Sequence, residues 1–315
     1  MYFLRHVENA DSQRSFLIVC FTGGLLPLLV QLFLIRRYVD FPPVVDHLKV
    51  FLQPFQEEWF KGSSNTKFRL SSVNQCGALL QAIYYNTLAM IVMFAAASWI
   101  IPGDPVFPTS LAKEPENLSW FIYFAQILWL LYTLISMMGV LDSVLFVFVV
   151  WGFSGPDILG ELVYEPRKQR NNHRNFNSFS RDFRKFTIFG KIVENFYGPV
   201  IIPSLQGCLT VVVIYASYGA IRRVGILSVI LSVLSFTALI CLLVTFILLG
   251  RFDQQSLEVL SSWKICCFRR EFTKTLESFL PIQIHVGQFY FVDRGLVLTM
   301  ISIMLQCIIN LLIVQ

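Results

Sequence analysis

Six long apolar stretches constrain this chain more than any other feature of its sequence. A helix that crosses a bilayer needs about 20 mostly apolar residues, because the hydrocarbon layer is about 30 Å thick and each residue rises by about 1.5 Å. One such stretch could be the buried helix of a soluble protein, but six in one chain can be covered only by lipid. The stretches are residues 16–35, 83–101, 120–153, 199–221, 226–249 and 295–314.

The composition agrees with a membrane protein and excludes several other classes. Of the 315 residues, 55% are hydrophobic and 14% are charged, whereas soluble domains carry about 25% charged residues. Such a chain cannot be intrinsically disordered, a collagen-like fibre or a small disulfide framework. The sequence therefore predicts an all-α, polytopic helical membrane protein with six visible spanning helices.

The distribution of Lys and Arg predicts which side of the membrane each loop occupies. The three long loops, 36–82, 154–198 and 250–288, carry 19 of these residues, and the segments on the opposite side carry five. Basic loops stay in the cytoplasm, so the C-terminus is expected outside the cell.

Asn117, in the sequon Asn117-Leu118-Ser119, lies in a loop assigned outside and is a candidate glycosylation site. An even number of spans would also place the N-terminus outside without a signal peptide, so we expect one upstream helix to be missing from this chain.

The sequence lacks the residue spacing of metal sites and enzymes. Its seven cysteines form no CxxC pair, and its four histidines lie far apart. It contains no nucleotide-binding Gly-rich loop, zinc-binding helix or nucleophile elbow. We therefore expect no catalysis and no cofactor. The adjacent Cys266 and Cys267, among basic residues, are weak candidates for lipidation, although burial among helices is the simpler interpretation.

The C-terminal part of the chain carries a distinctive order of residues. Trp263 comes first, Gly287 and Phe289 follow at a turn, and the last apolar helix closes on the segment 308–315 with Gln315. In this order the chain resembles the arthropod chemoreceptor family, the seven-helix gustatory and odorant receptors, and it is most similar to the gustatory receptors. Ile308-Ile309 stand where members have Thr-Tyr. The resemblance maps the six stretches onto the family's second to seventh helices.

This resemblance implies an activity and an assembly. The family forms ligand-gated, non-selective cation channels of the plasma membrane, with four identical or related subunits around one pore. A small organic tastant or odorant binds in the outer half of each helix bundle, the last helix lines the pore, and long cytoplasmic helical extensions pack into an anchor. The expected division is a transmembrane bundle with pocket and loops at 1–250, an anchor segment at 251–288 and a pore-lining helix at 289–315. Lipid and related subunits are the expected partners, and nucleic acid is not.

Five residues of the last helix are candidates for the pore and its gate. Leu312 and Gln315 match the family's pore constriction, and Ile308 lies one turn from Leu312. A ring of Leu side chains can close a pore by dewetting, and Gln amides can replace part of an ion's hydration shell. Gln306 and Asn310 lie four residues apart, and polar side chains within a membrane face protein or water. Contacts of these residues with lipid or neighbouring helices are the alternative.

Aromatic and amide side chains in the outer halves of the second and third stretches could line a ligand pocket. Such pockets are mostly apolar and contain a few polar groups that orient the ligand. The candidates are Phe94, Tyr123, Phe124 and Gln126.

Two charged features of the sequence have simpler explanations than function. Asp142 lies inside the third stretch, and pairing with a loop arginine is preferred to a proton relay because no neighbouring stretch holds a second ionisable group. The basic run 167–185 is interpreted as a flexible cytoplasmic loop and not as a nucleic-acid site.

Three other classes of protein stay open. A secondary transporter would explain Gly23, Gly24 and Pro27 in the first stretch, but the other half of the chain shows no matching interruption. A G-protein-coupled receptor would place its C-terminus inside the cell, against the Lys and Arg distribution. The third alternative is a non-functional remnant that lacks the family's first helix.

Overall fold

The fold of the protein was obtained as a computed structural model of the 315-residue chain. It describes most of residues 18–46, single helical positions between 77 and 96 and between 124 and 135, and the ranges 148–164, 176–222, 225–266 and 270–313. Five helices lie entirely within these residues, together with one short hairpin. The helices are α1 (Phe176–Tyr197), α2 (Ile201–Arg222), α3 (Ile226–Cys266), α4 (Arg270–Glu277) and α5 (Arg294–Ile313), and the strands are β1 (His285–Val286) and β2 (Tyr290–Phe291).

Three of the described helices are long and apolar enough to cross a membrane. They are Ile201–Arg222 in α2, Ser228–Ile265 in α3 and Gly295–Ile313 in α5. These helices contain most of the fourth, fifth and sixth stretches of the sequence. In the other three stretches, every described position within 18–37, 77–96 and 124–135 that carries an assignment is helical. The prediction of a polytopic, all-α fold is confirmed.

Helix α3 is much longer than a membrane requires. Its 41 residues extend over about 60 Å, twice the thickness of the hydrocarbon layer. The first part, residues 226–250, has no charge, and the second part begins at Arg251. The helix therefore continues unbroken across the boundary at 250/251 that was drawn between the transmembrane bundle and the anchor segment. The division of the chain itself stays a prediction.

The third stretch also continues beyond its predicted end at residue 153. In the described part of the chain, a continuous helix covers residues 148–162. Ile158, Leu159 and Leu162 are all buried, so this extension has an apolar face of its own. Gly155 permits close packing against α3, because a Cβ at this position would lie 2.5 Å from Cζ of the buried Phe252 ring. Phe252 in turn stacks on Trp151, with ring centroids 4.2 Å apart.

Helix α1 packs on the second part of α3 through aromatic side chains. Phe179 stacks on Trp263 with a centroid distance of 4.4 Å, and Phe183 contacts Phe279 at 5.2 Å. The indole Nε1–H of Trp263 donates a hydrogen bond of 2.8 Å to the carbonyl oxygen of Leu162. Here we use the name aromatic cluster for the six residues Phe176, Phe179, Phe183, Trp263, Phe272 and Phe279.

The prediction of a flexible loop over 167–185 is wrong for residues 176–185, which form the first half of α1. Phe179, Phe183, Phe186 and Val193 are all at most 2% exposed and recur at the three- and four-residue spacing of a helix face. The basic residues that suggested a loop occupy the opposite, exposed face of the same helix.

Candidate pore helix and its hairpin

Helix α5 has the length and the start signal of a spanning helix. Its 20 residues correspond to about 30 Å, the thickness of the hydrocarbon layer. Asp293 caps its first turn, because Oδ1 accepts a hydrogen bond of 2.7 Å from the backbone N–H of Leu296. Such a cap satisfies one of the amide groups that a helix start leaves without an intrahelical partner.

One face of α5 packs against α2 and α3. Met300 and Met304 are 6% and 2% exposed, and Leu296, Val297 and Ile301 are partly buried against the same core. Residues four apart lie above one another on a helix, so these side chains form a continuous seam.

The exposed face of α5 carries polar side chains. Thr299, Ser302, Gln306 and Asn310 are all exposed in the single chain, and their spacing of three, four and four residues places them on one side of the helix. Here we call these four residues the polar stripe. Leu298, Leu305 and Ile309 flank the stripe and are also more than half exposed.

The structure separates the predicted pore residues into two groups. Gln306 and Asn310 lie in the polar stripe, whereas Ile308 and Leu312 are partly buried. Positions two residues apart on an α-helix point about 200° away from each other, so Ile308 lies nearly opposite Gln306, and Leu312 nearly opposite Asn310. Gln315 lies outside the described residues. Thr299 and Ser302 were not among the predicted pore residues, although their spacing from Gln306 is visible in the sequence.

A hairpin joins α5 to the anchor region, the name used here for the helix at 148–162, α1, the part of α3 after residue 250, and α4. Strands β1 and β2 pair antiparallel, with His285 opposite Phe291 and Val286 opposite Tyr290. Gly287 begins the turn with a φ of 61°, a left-handed conformation that glycine adopts without the steric cost of a side chain. Gly287 and Phe289, two of the residues that carry the family resemblance, are therefore the turn of this hairpin.

The hairpin is fastened to the junction between α1 and α2. The backbone N–H of Gly287 donates to the carbonyl oxygen of Gly198 at 2.9 Å. Glu194 Oε1 is hydrogen-bonded to Nδ1 of His285, and it also accepts the backbone N–H of His285 at 3.3 Å. Because one carboxylate contacts both the ring and the backbone of His285, the start of β1 is held at the end of α1.

A second connection runs from the hairpin through α2 to α5. The phenol of Tyr290 donates a hydrogen bond to Oε1 of Gln206, and the Gln206 amide nitrogen lies 3.8 Å from the sulfur of Met300. Gln206 thus touches both the strand before α5 and the packed face of α5. A displacement of the hairpin along α2 would change both contacts.

The other predicted site residues are mostly outside the described part of the chain. Phe124 is a helical position with 47% of its surface exposed. Phe94, Tyr123, Gln126, Asn117, Asp142 and Cys267 lie outside the described residues, and Cys266 is the last residue of α3. The described residues contain no group of three or more His, Cys, Asp or Glu that could hold a metal ion.

The architecture is similar to that of solved insect olfactory receptors. The structure of the insect olfactory receptor OR5 from Machilis hrabei in complex with eugenol matches with a TM-score of 0.63 and 14% identity, over 96% of this chain and 82% of that chain. A second structure of the same receptor matches with a TM-score of 0.59 and 14% identity, over 98% of this chain and 87% of that chain. No protein-family model and no curated protein sequence matches this chain.

The chain therefore has the fold of an insect olfactory receptor, a polytopic helical membrane fold. The fold expected from the resemblance at the C-terminus is confirmed over nearly the whole chain. At 14% identity the similarity concerns the course of the helices, and the roles of individual residues have to be argued from this chain's own geometry.

Proposed function

We propose that this chain is a subunit of a ligand-gated, non-selective cation channel that detects small organic tastants or odorants, with α5 of four subunits around one pore. The observation that carries the proposal is the polar stripe on the exposed face of a helix that is otherwise apolar. The similarity of the whole fold to an olfactory receptor supports it.

The polar stripe requires a polar environment. The hydroxyl of Thr299 donates a hydrogen bond of 3.2 Å to the carbonyl oxygen of Gly295. Side-chain amides such as those of Gln306 and Asn310, however, cost several kcal/mol each when they are transferred into an apolar solvent without hydrogen-bond partners. Such residues in spanning helices face water or protein. Because the packed face of α5 already contacts α2 and α3, the stripe is available to water in a pore or to copies of the same chain.

The gate is proposed to lie near the C-terminal end of α5. Leu312, with Ile308 one turn earlier, supplies the apolar ring, and Gln315 supplies amides for a partly dehydrated ion. Ile308 and Leu312 occupy the sector of α5 next to the exposed Leu305, whereas the polar stripe occupies the far side of that exposed face. A pore that includes both sectors would need α5 to rotate when the channel opens.

The ligand is proposed to bind in the outer half of the bundle, near Phe94, Tyr123, Phe124 and Gln126. The related receptor was solved in complex with eugenol, a small organic compound. A ligand opens a channel only if it binds the open arrangement more tightly than the closed one. The chain is proposed to be a multi-pass protein of the plasma membrane with an extracellular C-terminus and a glycan on Asn117.

Cysteine accessibility tests the pore proposal directly. Single cysteines at Gln306, Asn310, Ile308 and Leu312 would be expressed in cells, and a water-soluble thiol reagent would be applied during whole-cell recording with a panel of odorants. We expect block at positions 306 and 310 with the ligand present, and state-dependent block at 308 and 312. Cysteines at the buried Met300 and Met304 are the matched controls and should not react.

Two results would contradict the proposal. Reaction of positions 308 and 312 alone, with 306 and 310 silent, would show that the polar stripe contacts other subunits and does not line the pore. Saturable uptake of a solute without any channel conductance would favour a secondary transporter.

A further inference from the structure

A groove of about 530 Å³ lies between α1 and α4, away from the pore helix. Its volume is within the range of about 300–1,000 Å³ that is typical of small-molecule sites. The walls come from one face of α1 and from Phe272 and Thr275 of α4. An occupant would touch both helices. It would connect α1 to α4, and α4 leads into the hairpin.

Basic side chains dominate the charge of this groove. Arg181, Arg184 and Lys185 line it, and none of the described residues that line it is acidic. Asp182 lies behind the groove with 3% exposure, and its Oδ1 is 3.4 Å from Nε of Arg181 and 3.9 Å from Nζ of Lys185. One buried carboxylate thus pairs with two of the three cations, Arg181 and Lys185, whose side chains stay largely exposed at the rim.

The remaining cation and the neutral groups complete a site for an anion. The guanidinium carbon of Arg184 lies 5.5 Å from the centre of the Phe279 ring, a cation–π contact with the aromatic cluster. Asn177, Ser180 and Thr275 add an amide and two hydroxyl groups. Arginine forks match phosphate oxygens in pairs. The groove is too large for a single inorganic phosphate and fits a compact molecule with several phosphate groups.

Helix α3 shows how far the groove is from the membrane. The charge-free part of α3 ends at Gly250, and Trp263 lies 13 residues further, about 20 Å along the helix. Phe186 of α1 contacts Phe252, and Phe179 contacts Trp263, so residues 179–186 of α1 occupy this interval. Headgroups extend several ångströms beyond the hydrocarbon, and an inositol headgroup and a free polyphosphate can both reach the groove.

We propose that this groove is a binding site for a polyphosphorylated ligand, either the headgroup of an inositol lipid or a free inositol polyphosphate. Arg184 and Arg181 hold phosphate groups through paired N–H donors, Lys185 adds a point charge, and Ser180 and Thr275 donate hydroxyl hydrogen bonds. The bound ligand fastens α1 to α4. This site is separate from the odorant pocket and from the pore, so its test does not depend on channel activity.

The test uses the purified full-length chain in detergent and two probes. Inositol hexakisphosphate is titrated by calorimetry, and a phosphatidylinositol bisphosphate is compared with phosphatidylserine by native mass spectrometry. We expect one or both of the polyphosphorylated probes to bind in preference to phosphatidylserine. Substitution of Arg184→Gln together with Lys185→Gln should weaken that binding by at least about tenfold, because each loses hydrogen bonds to a charged group.

Matched controls separate the groove from general basic charge. Arg251→Gln with Lys264→Gln removes the same charge from exposed positions of α3 outside the groove and should change affinity by less than about twofold. Ser180→Glu places a carboxylate among the cations and should abolish binding. It provides an independent test if the glutamine variant fails to fold.

The outcomes are distinct. Binding of hexakisphosphate with loss in the groove variants supports a soluble ligand, and binding of the bisphosphate lipid alone with the same loss supports a membrane ligand. Equal affinity in groove and control variants, or no binding of either probe, overturns the proposal. A change of oligomeric state in the groove variants without any anion binding overturns it in favour of contacts between subunits.

Discussion

The anchor region and helix α5 of this protein are stabilised in opposite ways. In the anchor region, α1 and the second part of α3 enclose the aromatic cluster, in which Phe183 is fully buried and Phe179 is 2% exposed. In the apolar 18-residue segment of α5 only 11% of the residues are buried, compared with 39% in the corresponding segment of α2. The anchor region is thus packed by its own chain, whereas most of the surface of α5 is left for lipid, water or other subunits.

This contrast separates folding from assembly. A buried aromatic residue contributes to the stability of each single chain, because its removal leaves a cavity. An exposed residue of α5 contributes little to the stability of the single chain, and under the proposed function it acts only when copies of the chain come together. Substitutions in the two regions should therefore affect different measurements.

Trp263→Ala should cause the most severe loss of stability. Its indole is 5% exposed, stacks on Phe179 and donates a hydrogen bond to Leu162, and truncation of buried aromatic residues costs about 3–5 kcal/mol. Thermal unfolding in detergent should show a clearly lower midpoint. Ile265→Ala, at a position that is 78% exposed on the same helix, is the control. Equal midpoints for the two variants would contradict the description of a packed anchor region.

Gly155→Ala should destabilise the anchor region by about 1–3 kcal/mol, because the added methyl group overlaps the Phe252 ring, which cannot move freely in a packed core. Gly207→Ala in α2 is the matched change, since nothing lies within 4 Å of a Cβ at that position. Alanine is the better helix former, so Gly207→Ala should leave stability unchanged or raise it. A similar loss of stability in both variants would show that the helix at 148–162 does not approach α3 closely at Gly155.

Tyr290→Phe should have a smaller effect at the joint between the two regions. It removes the hydrogen bond to Gln206, and such bonds contribute about 0.5–1.5 kcal/mol. A double-mutant cycle with Gln206→Leu should give a coupling energy of about 1 kcal/mol. Additive effects of the two substitutions would indicate that the hairpin is not connected to α2 through this pair.

Gln306→Leu should have the least effect on the unfolding of the single chain, within about 0.5 kcal/mol, because the side chain is exposed. The same substitution should lower the whole-cell current, since it replaces an amide in the polar stripe with a group that repels water. Ile309→Leu, an exposed apolar change on the neighbouring sector of α5, is the control. Unchanged current in the Gln306→Leu variant would show that the polar stripe does not line the pore.

The sequence predicted the elements better than their ends. The start of α3 at Ile226 agrees with the predicted start of the fifth stretch, but the helix continues 17 residues beyond its predicted end at 249. Hydropathy detects the part of a helix that lipid must cover and does not register the part that packs on protein. The same limitation explains why the first half of α1 was predicted to be a loop. Its basic face is evident in the sequence, and its aromatic face has no partner until Trp263 is brought beside it.

The pore candidates show the other limit of sequence analysis. A helical pattern predicts which residues share a face, and it placed Gln306 with Asn310 and Ile308 with Leu312 correctly. It could not decide which of those faces α2 and α3 would cover. That choice depends on the packing of Met300 and Met304 against two helices that are distant in sequence.

The sequence by itself determined that this protein is a helical membrane protein, because the cost of exposing backbone and charge to lipid leaves long apolar helices as the solution for such stretches. It also identified the turn at Gly287 and the order of residues shared with chemoreceptors. Only the tertiary structure decided that the polar stripe of α5 is exposed and that basic side chains of α1 gather beside α4. Both features arise from contacts between residues far apart along the chain, and no local pattern specifies such contacts.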